Sequence, residues 1–288
     1  MRDIPTSPRI IEINRNRRAR RLRLSVLILI LLIIITYAAS FFSSNKNVVI
    51  DKVEIRGTHI INEKDIEEET YKNISGKYLR LFARNNIFIY PHDDIYKNLL
   101  LKFPRIEKLS IGLDKLKTIK IDIVERVGSF LYCGVSIPEN KEDVGENCYF
   151  INNDGYIFEK APYFSGNIYF KYYMTLEGEN VDPLGKQMIG VDKFHGISRF
   201  IDFVISIGLK PIYIVMDQDG TNYLYLNHDT NSTIPKIIFK NDADLETIQD
   251  NLSLSMKKKE FADEIHSKYN TLLYMDFRFK NKVLYKFQ

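Results

Sequence analysis

The most pronounced hydrophobic pattern in the chain is a continuous apolar segment near its start. Residues 24–42 carry no charge, and thirteen of these nineteen positions are Leu, Ile, Val or Phe. As an α-helix, such a segment is roughly 28 Å long, which is close to the thickness of the hydrocarbon core of a bilayer. The pattern therefore predicts a transmembrane helix over residues 24–43.

Periodic patterns replace the continuous one in residues 48–126. Alternation of apolar and polar residues predicts strands, and a spacing of three or four predicts helices. The order of the patterns is strand, helix, helix, strand, strand. The apolar positions predicted to face inward in each are, in the same order, Val49, Val53 and Ile55; Ile66; Ile95, Leu99 and Phe103; Leu109, Ile111 and Leu113; and Ile119, Ile121 and Ile123. We expect a small α+β domain with two helices on one face of a three-stranded sheet.

Residues 127–288 show short strand patterns with few helical ones. Two Asp-Gly pairs between apolar runs predict hairpin turns. Asp192 and Asp244 are the predicted caps of two helices. The apolar stripes of these helices are Phe194, Ile197, Ile201 and Val204 in the first and Leu245, Ile248 and Leu252 in the second. The chain closes with two strand patterns, Leu272–Phe279 and Val283–Phe287, joined by a polar turn. These features predict a mostly antiparallel β domain with two helices.

Arginines before the apolar segment predict its orientation. Residues 1–23 contain eight arginines and two acidic residues, a net charge of +6. Positively charged segments beside a membrane span remain on the cytoplasmic side. We therefore expect a cytoplasmic basic tail over residues 1–23 and all later domains outside the cytoplasm. The arginines nearest the span should set this topology: Arg15, Arg17, Arg18, Arg20, Arg21 and Arg23.

A secretory signal peptide has the same polarity and is the alternative interpretation of this segment. The small residues Ala38, Ala39 and Ser40 could suit a signal peptidase. The apolar run is longer than the ~7–15 residues usual for a signal peptide, which favours an uncleaved anchor. Under either interpretation, residues after about 43 lie outside the cytoplasm.

The charge of the remaining chain argues against a nucleic-acid partner. The whole chain has a net charge of +4, so residues 24–288 sum to −2 once the +6 of the tail is removed. Such a domain has no strong positive field for a polyanion. The chain has no tryptophan but contains 18 Tyr and 18 Phe, which favours sheet structure.

The chain has two cysteines, Cys133 and Cys148, and both lie on the predicted outer side. An even number, a short separation and an oxidising compartment favour a disulfide. Two buried free thiols are the alternative. The pair flanks a polar loop, 134–147, inside a wide hairpin.

Signatures of catalysis are scarce in this sequence. The five histidines are scattered and form no His-Glu-x-x-His motif, there is no Gly-x-Ser-x-Gly motif, and the two cysteines lack a second pair for zinc. The segment from Gly178 to Lys186 has the wrong glycine spacing for a phosphate-binding loop. We therefore expect no catalytic, cofactor-binding or metal site, and a function based on binding.

Several segments, in this order behind one anchor, carry a resemblance to a known family. They are Val53–Gly57, Asn86–Phe88, Leu99–Ile106, Ile121–Arg126, the hairpin Phe150–Phe158 and Asp276–Phe279. The first four resemble a POTRA domain, and the whole set resembles the FtsQ/DivIB bacterial cell-division proteins. The implied fold class is α+β, with one transmembrane helix, a POTRA-like β-α-α-β-β domain at 48–126 and a β-rich FtsQ/DivIB-type domain at 127–288.

This resemblance implies a location and partners. It implies a single-pass protein of the inner (cytoplasmic) membrane at the division septum, a non-enzymatic scaffold without cofactors that regulates septal cell-wall synthesis. The implied partners, besides the lipid bilayer, are FtsB/DivIC-like and FtsL-like coiled-coil proteins and other proteins of the divisome.

The final strands are the predicted partner-binding site, because a sheet edge exposes unpaired backbone groups that an extended segment can join. Alternation predicts Leu273, Met275, Phe277 and Phe279 toward the core and Asp276, Arg278 and Lys280 outward. The family resemblance adds Phe279, Val283 and Tyr285 to Asp276 and Arg278 as partner-binding positions. The alternative is a solvated edge protected by Lys280, Lys282 and Lys286.

Two other functions remain open from the sequence. One is a POTRA-bearing adaptor or chaperone for exported polypeptides, although no long series of barrel strands accompanies the single POTRA-like domain. The other is an anchored cell-wall enzyme, because two catalytic carboxylates can come from any part of a fold.

Overall fold

The computed structural model describes residues 8–114, 117–138, 147–164, 166–177, 182–227, 234–279 and 282–288, with side chains from residue 17 onward. Within these ranges the chain is a mixed α+β protein with six α-helices and one short 3₁₀ turn. It divides into two compact units, Met1–Glu125 and Arg126–Gln288. The predicted domain boundary at 126/127 falls one residue later.

The first unit opens with helix α1, Pro8–Ser43, which contains the predicted span. Its part from Arg17 to Ser43 is long and apolar enough to cross a membrane. The large apolar side chains of residues 24–35 are exposed in the folded chain, with Ile33 at 58 %. Arg15, Arg17, Arg18, Arg20, Arg21 and Arg23 all lie on α1, before this apolar stretch.

The rest of the first unit is a three-stranded sheet, two helices and a small hairpin. The central strand of the sheet is β5, which pairs in parallel with β1 and antiparallel with β4. In chain order the elements are β1 (Lys52–Arg56), α2 (Glu63–Ile74), β2 (Lys77–Tyr78), β3 (Phe82–Ala83), α3 (His92–Lys102), β4 (Ile106–Asp114) and β5 (Thr118–Glu125).

The core of this unit follows the apolar periodicity of the sequence. Ile119 and Ile121 on β5 are fully buried, and Ile66 of α2 and Ile95 and Leu99 of α3 pack into the same cluster. The side chain of Asn62 accepts a hydrogen bond from the backbone N–H of Lys64, and so caps α2.

The second unit contains a nine-stranded sheet in the order β14-β13-β12-β11-β10-β9-β6-β7-β8, with more antiparallel than parallel neighbours. Its elements are β6 (Phe130–Tyr132), β7 (Tyr149–Ile151), β8 (Ile157–Lys160), β9 (Lys171–Met174), α4 (Val191–Ser206), β10 (Pro211–Met216), β11 (Thr221–Leu226), β12 (Lys236–Lys240), α5 (Leu245–Met256), α6 (Lys259–Ser267), β13 (Leu272–Asp276) and β14 (Leu284–Phe287).

Helix α4 supplies much of the core of the second unit. Phe194, Phe200 and Val204 are fully buried, and the ring of Phe200 lies 5.3 Å from that of Phe239 on β12. Helix α5 adds Ile248 and Leu252, and the carboxylate of Asp244 accepts hydrogen bonds from the backbone at its start. The predicted apolar stripes of both helices therefore face the sheet.

Two sequence predictions for this unit were wrong. The unit has three helices where two were predicted. The third, α6, was missed because it buries only Ile265 and its apolar stripe is therefore short. Asp192 does not cap α4: the cap position is Gly190, with no side-chain hydrogen bond, and Asp192 lies in the first turn.

Cys133 and Cys148 form a disulfide in the structure, with their Cα atoms 4.2 Å apart. Cys148 is fully buried, in a small cluster with Leu131 and Ala161 against which Phe150 and Phe164 pack. Of the predicted loop 134–147, residues 139–146 lie outside the described residues. The bridge joins the regions that flank the loop, next to β6 and β7.

Candidate partner-binding edge

The last strand of the chain lies at one end of the nine-stranded sheet. In the part of the chain that the structure describes, β14 pairs with β13 and with no other strand. The pairing is antiparallel and places Met275 opposite Tyr285 and Asp276 opposite Leu284. One side of β14 is therefore an open edge, whose outward N–H and C=O groups have no strand partner within the described residues.

The burial of β13 departs from the predicted alternation. Leu272 and Met275 are fully buried and Phe277 is 8 % exposed, whereas Phe279 is 51 % exposed and does not join the core as predicted. The register between β13 and β14 shifts between Leu272 and Tyr274, which interrupts the two-residue period. Phe279 follows the end of β13, at Asp276, and its ring is available at the surface.

Asp276, predicted to face outward, is buried at 4 % exposure. Its carboxylate accepts hydrogen bonds from the backbone N–H of Arg278 at 3.0 Å, from Arg278 Nε at 3.0 Å and from Arg278 Nη2 at 2.7 Å. Burial opposes ionisation of Asp276, but these bonds and the positive charge of Arg278 hold its pKa below the ordinary value. Asp276 therefore orients Arg278, and Arg278 presents the exposed part of this pair.

Tyr285 on β14 is 39 % exposed and forms a second surface feature. Its ring lies 5.1 Å from that of Phe261 on α6, and its hydroxyl donates to Glu264 Oε2 at 3.2 Å. Partial burial and the Glu264 carboxylate raise the pKa of Tyr285. This neutral tyrosine links the edge strand to α6.

Two clefts lie beside the edge, and helix α5 lines both. The first, about 460 Å³, is lined by Thr247, Ile248, Arg278, Phe279 and Lys282 among others. The second, about 280 Å³, is lined by Asn251, Leu254, Phe261, Val283 and Tyr285 among others. Partner side chains could enter either cleft while the partner backbone pairs with β14.

The structure thus divides the predicted site residues into groups. Arg278 and Phe279 line one cleft, Val283 and Tyr285 line the other, Asp276 is buried, and Lys280 lies outside the described residues. The sequence analysis missed the exposed apolar residues Leu254 and Leu284, at 59 % and 46 %, and the contribution of Phe261. The four-residue spacing of Phe261 and Ile265 was the available signal for α6.

Groups suited to chemistry are few among the described residues. No set of three or more His, Cys, Asp and Glu side chains in these ranges could hold a metal ion. His195 Nε2 lies 3.0 Å from Asp154 Oδ1, and this pair joins α4 to the turn between β7 and β8. Both side chains are about half exposed, which is consistent with a surface link.

Comparison with known proteins does not assign the chain to a family. No protein-family model matches it, and the search of curated proteins found no match.

Proposed function

We propose that this chain is a membrane-anchored, non-enzymatic scaffold of the bacterial division machinery, of the FtsQ/DivIB type. The observation that carries the proposal is the open edge of β14 with exposed apolar side chains beside it. A sheet edge of this kind is usually blunted by charge or covered by another element. β14 carries one exposed lysine, Lys286, which is the kind of charge that the protected-edge alternative requires. No described element covers the strand, and the exposed Phe279, Leu284 and Tyr285 beside it suit an extended partner segment.

Strand addition gives such an interface both affinity and selectivity. Backbone hydrogen bonds to β14 supply affinity for any extended segment, and the two clefts beside α5 select its side chains. Arg278, held by Asp276, offers a positive charge at one end, and Tyr285 offers an aromatic ring at the other. The proposed partners are FtsB/DivIC-like and FtsL-like proteins. Either protein alone, or both together, would contribute a short strand to this edge.

The first unit supports the POTRA-like part of the proposal. Gly57 follows β1 with φ +83°, and a Cβ atom there would lie 2.1 Å from the carbonyl oxygen of Ile123. Glu125, at the end of β5, accepts hydrogen bonds from the backbone N–H groups of His59, Ile60 and Ile61 at 2.8, 3.0 and 2.9 Å. These contacts give a structural role to two of the segments that carry the resemblance.

Glu125 also shows why a carboxylate suits this position. Partial burial opposes its ionisation, but the three backbone N–H groups and nearby Arg105 hold its pKa below the ordinary value. The charge therefore stabilises the turn after β1 at neutral pH.

The anchor completes the proposal. α1 would cross the inner (cytoplasmic) membrane once, with its arginine-rich start in the cytoplasm and both remaining parts of the chain outside. A disulfide between Cys133 and Cys148 suits an oxidising compartment. At the septum the scaffold would regulate cell-wall synthesis through its partners and not by its own catalysis.

Co-purification of the full chain from bacterial membranes tests the proposal. Phe279→Glu and Tyr285→Glu should each abolish capture of the division partner, identified by mass spectrometry, while circular dichroism stays unchanged. Deletion of residues 281–288, which removes β14, should also abolish capture while the first unit remains folded. Tyr163→Glu is the matched control, because Tyr163 is 61 % exposed in the same unit but lies outside β14. Capture that survives all three changes would contradict the edge-strand interface, and normal division after depletion would contradict the division role.

A second candidate function is an adaptor for exported polypeptides, and the edge of the first sheet favours it. β4 is nine residues long and, within the described ranges, pairs with β5 alone. The length of this open edge favours the adaptor, whereas its exposed Glu107 and Lys108 are typical of a protected edge and favour the first function. Photo-crosslinking from Ser110 on β4 to newly exported chains would support this function, and crosslinking from Tyr285 to one division partner would support the first.

A further inference from the structure

The end of helix α1 makes two hydrogen bonds to the β2–β3 hairpin and a third to Asn86, three residues after β3. Ser40 Oγ donates to the carbonyl oxygen of Leu81 at 2.6 Å, and the backbone N–H of Ala83 donates to Ser43 Oγ at 3.0 Å. Asn86 Nδ2 donates to the carbonyl oxygen of Ser43 at 3.0 Å. Ser43 and Asn86 are 7 % and 5 % exposed, so the junction is buried as well as bonded. The hairpin therefore keeps a defined position relative to the last turn of α1.

The tip of this hairpin presents apolar residues in an unusual conformation. Leu79 and Arg80 have φ angles of +49° and +62°, in the left-handed region that disfavours residues with a Cβ atom. Leu79 is 87 % exposed, Leu81 is 40 % exposed, and Phe88, two residues after Asn86, is 79 % exposed. A large apolar side chain held outward by a strained turn is unexpected on a surface that faces water.

The bonded junction sets the level of the tip relative to the apolar part of α1. Ser40 lies before the end of the apolar run at Phe42, and the rise along a helix is about 1.5 Å per residue. The Leu81 carbonyl bonded to Ser40 is therefore level with the last turn of the apolar run. Tyr37 and Phe41, at 75 % and 74 % exposure, lie on the same turns, and aromatic residues are enriched where a span meets the interface.

Positive charges accompany the apolar tip. A cleft of about 510 Å³ between the end of α1 and the hairpin is lined by Tyr37, Phe41, Lys46 and Lys77 among others. Lys46, Lys77 and Arg80 make no ion pair with any described side chain. Aliphatic and aromatic side chains next to unpaired cations are typical of protein surfaces that bind the membrane interface, where lipid acyl chains meet phosphate groups.

We propose that the β2–β3 hairpin is a second membrane contact, with Leu79 and Leu81 inserted into the outer-leaflet interface beside α1. The ligand is the lipid surface itself, with acyl chains against the leucines and phosphate groups near Lys46 and Lys77. This contact would fix the orientation of the first unit on the membrane. The inference rests on the membrane anchor of the proposed function and is independent of partner binding at β14.

The absence of tryptophan from the chain makes the test direct, because one introduced tryptophan reports alone. Full-length Leu79→Trp, reconstituted into vesicles with bromine on the lipid acyl chains, should show a blue-shifted emission and a large loss of fluorescence relative to unbrominated vesicles. Ile60→Trp is the matched control: Ile60 is 66 % exposed and its backbone N–H binds Glu125, at the far end of β5. Its emission should remain red-shifted and unquenched.

Two further variants separate the possible failures. Ile33→Trp, within the apolar segment, should be strongly quenched, and without that quenching the membrane anchor itself fails. Quenching of Ile33→Trp with none for Leu79→Trp or Phe88→Trp would overturn the hairpin contact and leave the anchor intact. Circular dichroism of each variant must match the unchanged chain, and Phe88→Trp serves as the second probe if Leu79→Trp disturbs the turn.

Discussion

The two ends of the nine-stranded sheet are treated differently by the same chain. At the β8 end, the backbone N–H of Ile157 donates to the Lys186 carbonyl at 2.9 Å, and the N–H of Gly185 donates to the Ile157 carbonyl at 2.8 Å. Tyr156 also forms an isolated bridge with Gln187. At the β14 end, no described segment plays this role. Residues 185–187 cover the start of the β8 edge, at Ile157, so the openness of the β14 edge is not a general property of this sheet.

The two ends also differ in how they are fastened. The β8 end carries the Cys133–Cys148 disulfide and an aromatic group in which the ring of Phe150 lies 5.6 Å from that of Tyr169. The β14 end relies on α6, which buries Ile265 alone. Local opening should therefore cost less free energy at β14 than at β8. The stiff, covered end suits a structural role for β8, and the more easily opened, uncovered end suits a binding role for β14.

The largest expected effect on stability is at the covered end. Replacing both cysteines by serine, or reducing the disulfide, should lower the free energy of unfolding of the second unit by about 3 kcal/mol, because the bridge restricts the unfolded chain across a sequence separation of 15 residues. Denaturant titration in the presence and absence of reductant measures this change. Partner capture by the β14 end should persist in the reduced protein under native conditions, and its loss would show that the two ends are not independent.

The next effect concerns Arg278 at the open end. Arg278→Ala should cost about 1–3 kcal/mol in unfolding free energy, because the buried Asp276 carboxylate loses its side-chain donors. Arg278→Lys is the control, since it keeps the charge but loses the paired donors. Equal stability of the alanine variant and the unchanged chain would show that Asp276 does not depend on this pair.

The same pair predicts a pH dependence. The pKa of Asp276 is lower in the folded chain, so its contribution to stability is complete above the ordinary aspartate pKa of about 3.9. This contribution is lost as the pH falls through the folded-state pKa. Denaturant titrations across the acidic range should therefore show a smaller decline for Arg278→Ala than for the unchanged chain. Parallel declines would contradict the assignment.

A smaller effect is expected from uncovering the β8 edge. Gln187 Nε2 donates to the carbonyl oxygens of Asp154 at 2.5 Å and Ile189 at 3.0 Å, and so holds the covering segment. Gln187→Ala should cost about 1 kcal/mol and accelerate hydrogen exchange at the Ile157 amide. Unchanged exchange would show that the cover does not depend on this side chain.

The sequence predicted the periodic parts of both ends better than the irregular parts. The turn at Asp154-Gly155 was predicted from its residue types, and Gly155 has φ +83° with its N–H bonded to the Asn152 carbonyl. The cover at 185–187 was not predicted, because its pairing with β8 is irregular and spans about thirty residues of chain. Periodicity does not encode such long-range contacts.

The candidate site shows the same limit. The strand patterns at 272–279 and 283–287 were recognisable, and Met275 and Phe277 are buried as predicted. Asp276 between them is buried as well, and Phe279 lies three residues beyond the end of β13 and is exposed. Alternation predicts one buried face of a strand, and it does not predict that Asp276 on the other face is buried with Arg278 as its hydrogen-bond partner. The partner-facing role of Arg278, Phe279, Val283 and Tyr285 stays a prediction.

The smallest expected effect distinguishes the ring of Tyr285 from its hydroxyl. Tyr285→Phe removes the hydrogen bond to Glu264 but keeps the aromatic contact with Phe261. Because Tyr285 is 39 % exposed, the unfolding free energy should fall by roughly 0.5 kcal/mol, near the lower limit for a hydrogen bond. Partner affinity, measured by titration calorimetry with the partner identified by co-purification, should remain close to that of the unchanged chain if the ring and the backbone edge form the contact. A large loss of affinity without loss of stability would instead assign the recognition to the hydroxyl of Tyr285. A covered strand could present such a hydroxyl equally well, so the open edge would then be secondary to this polar contact.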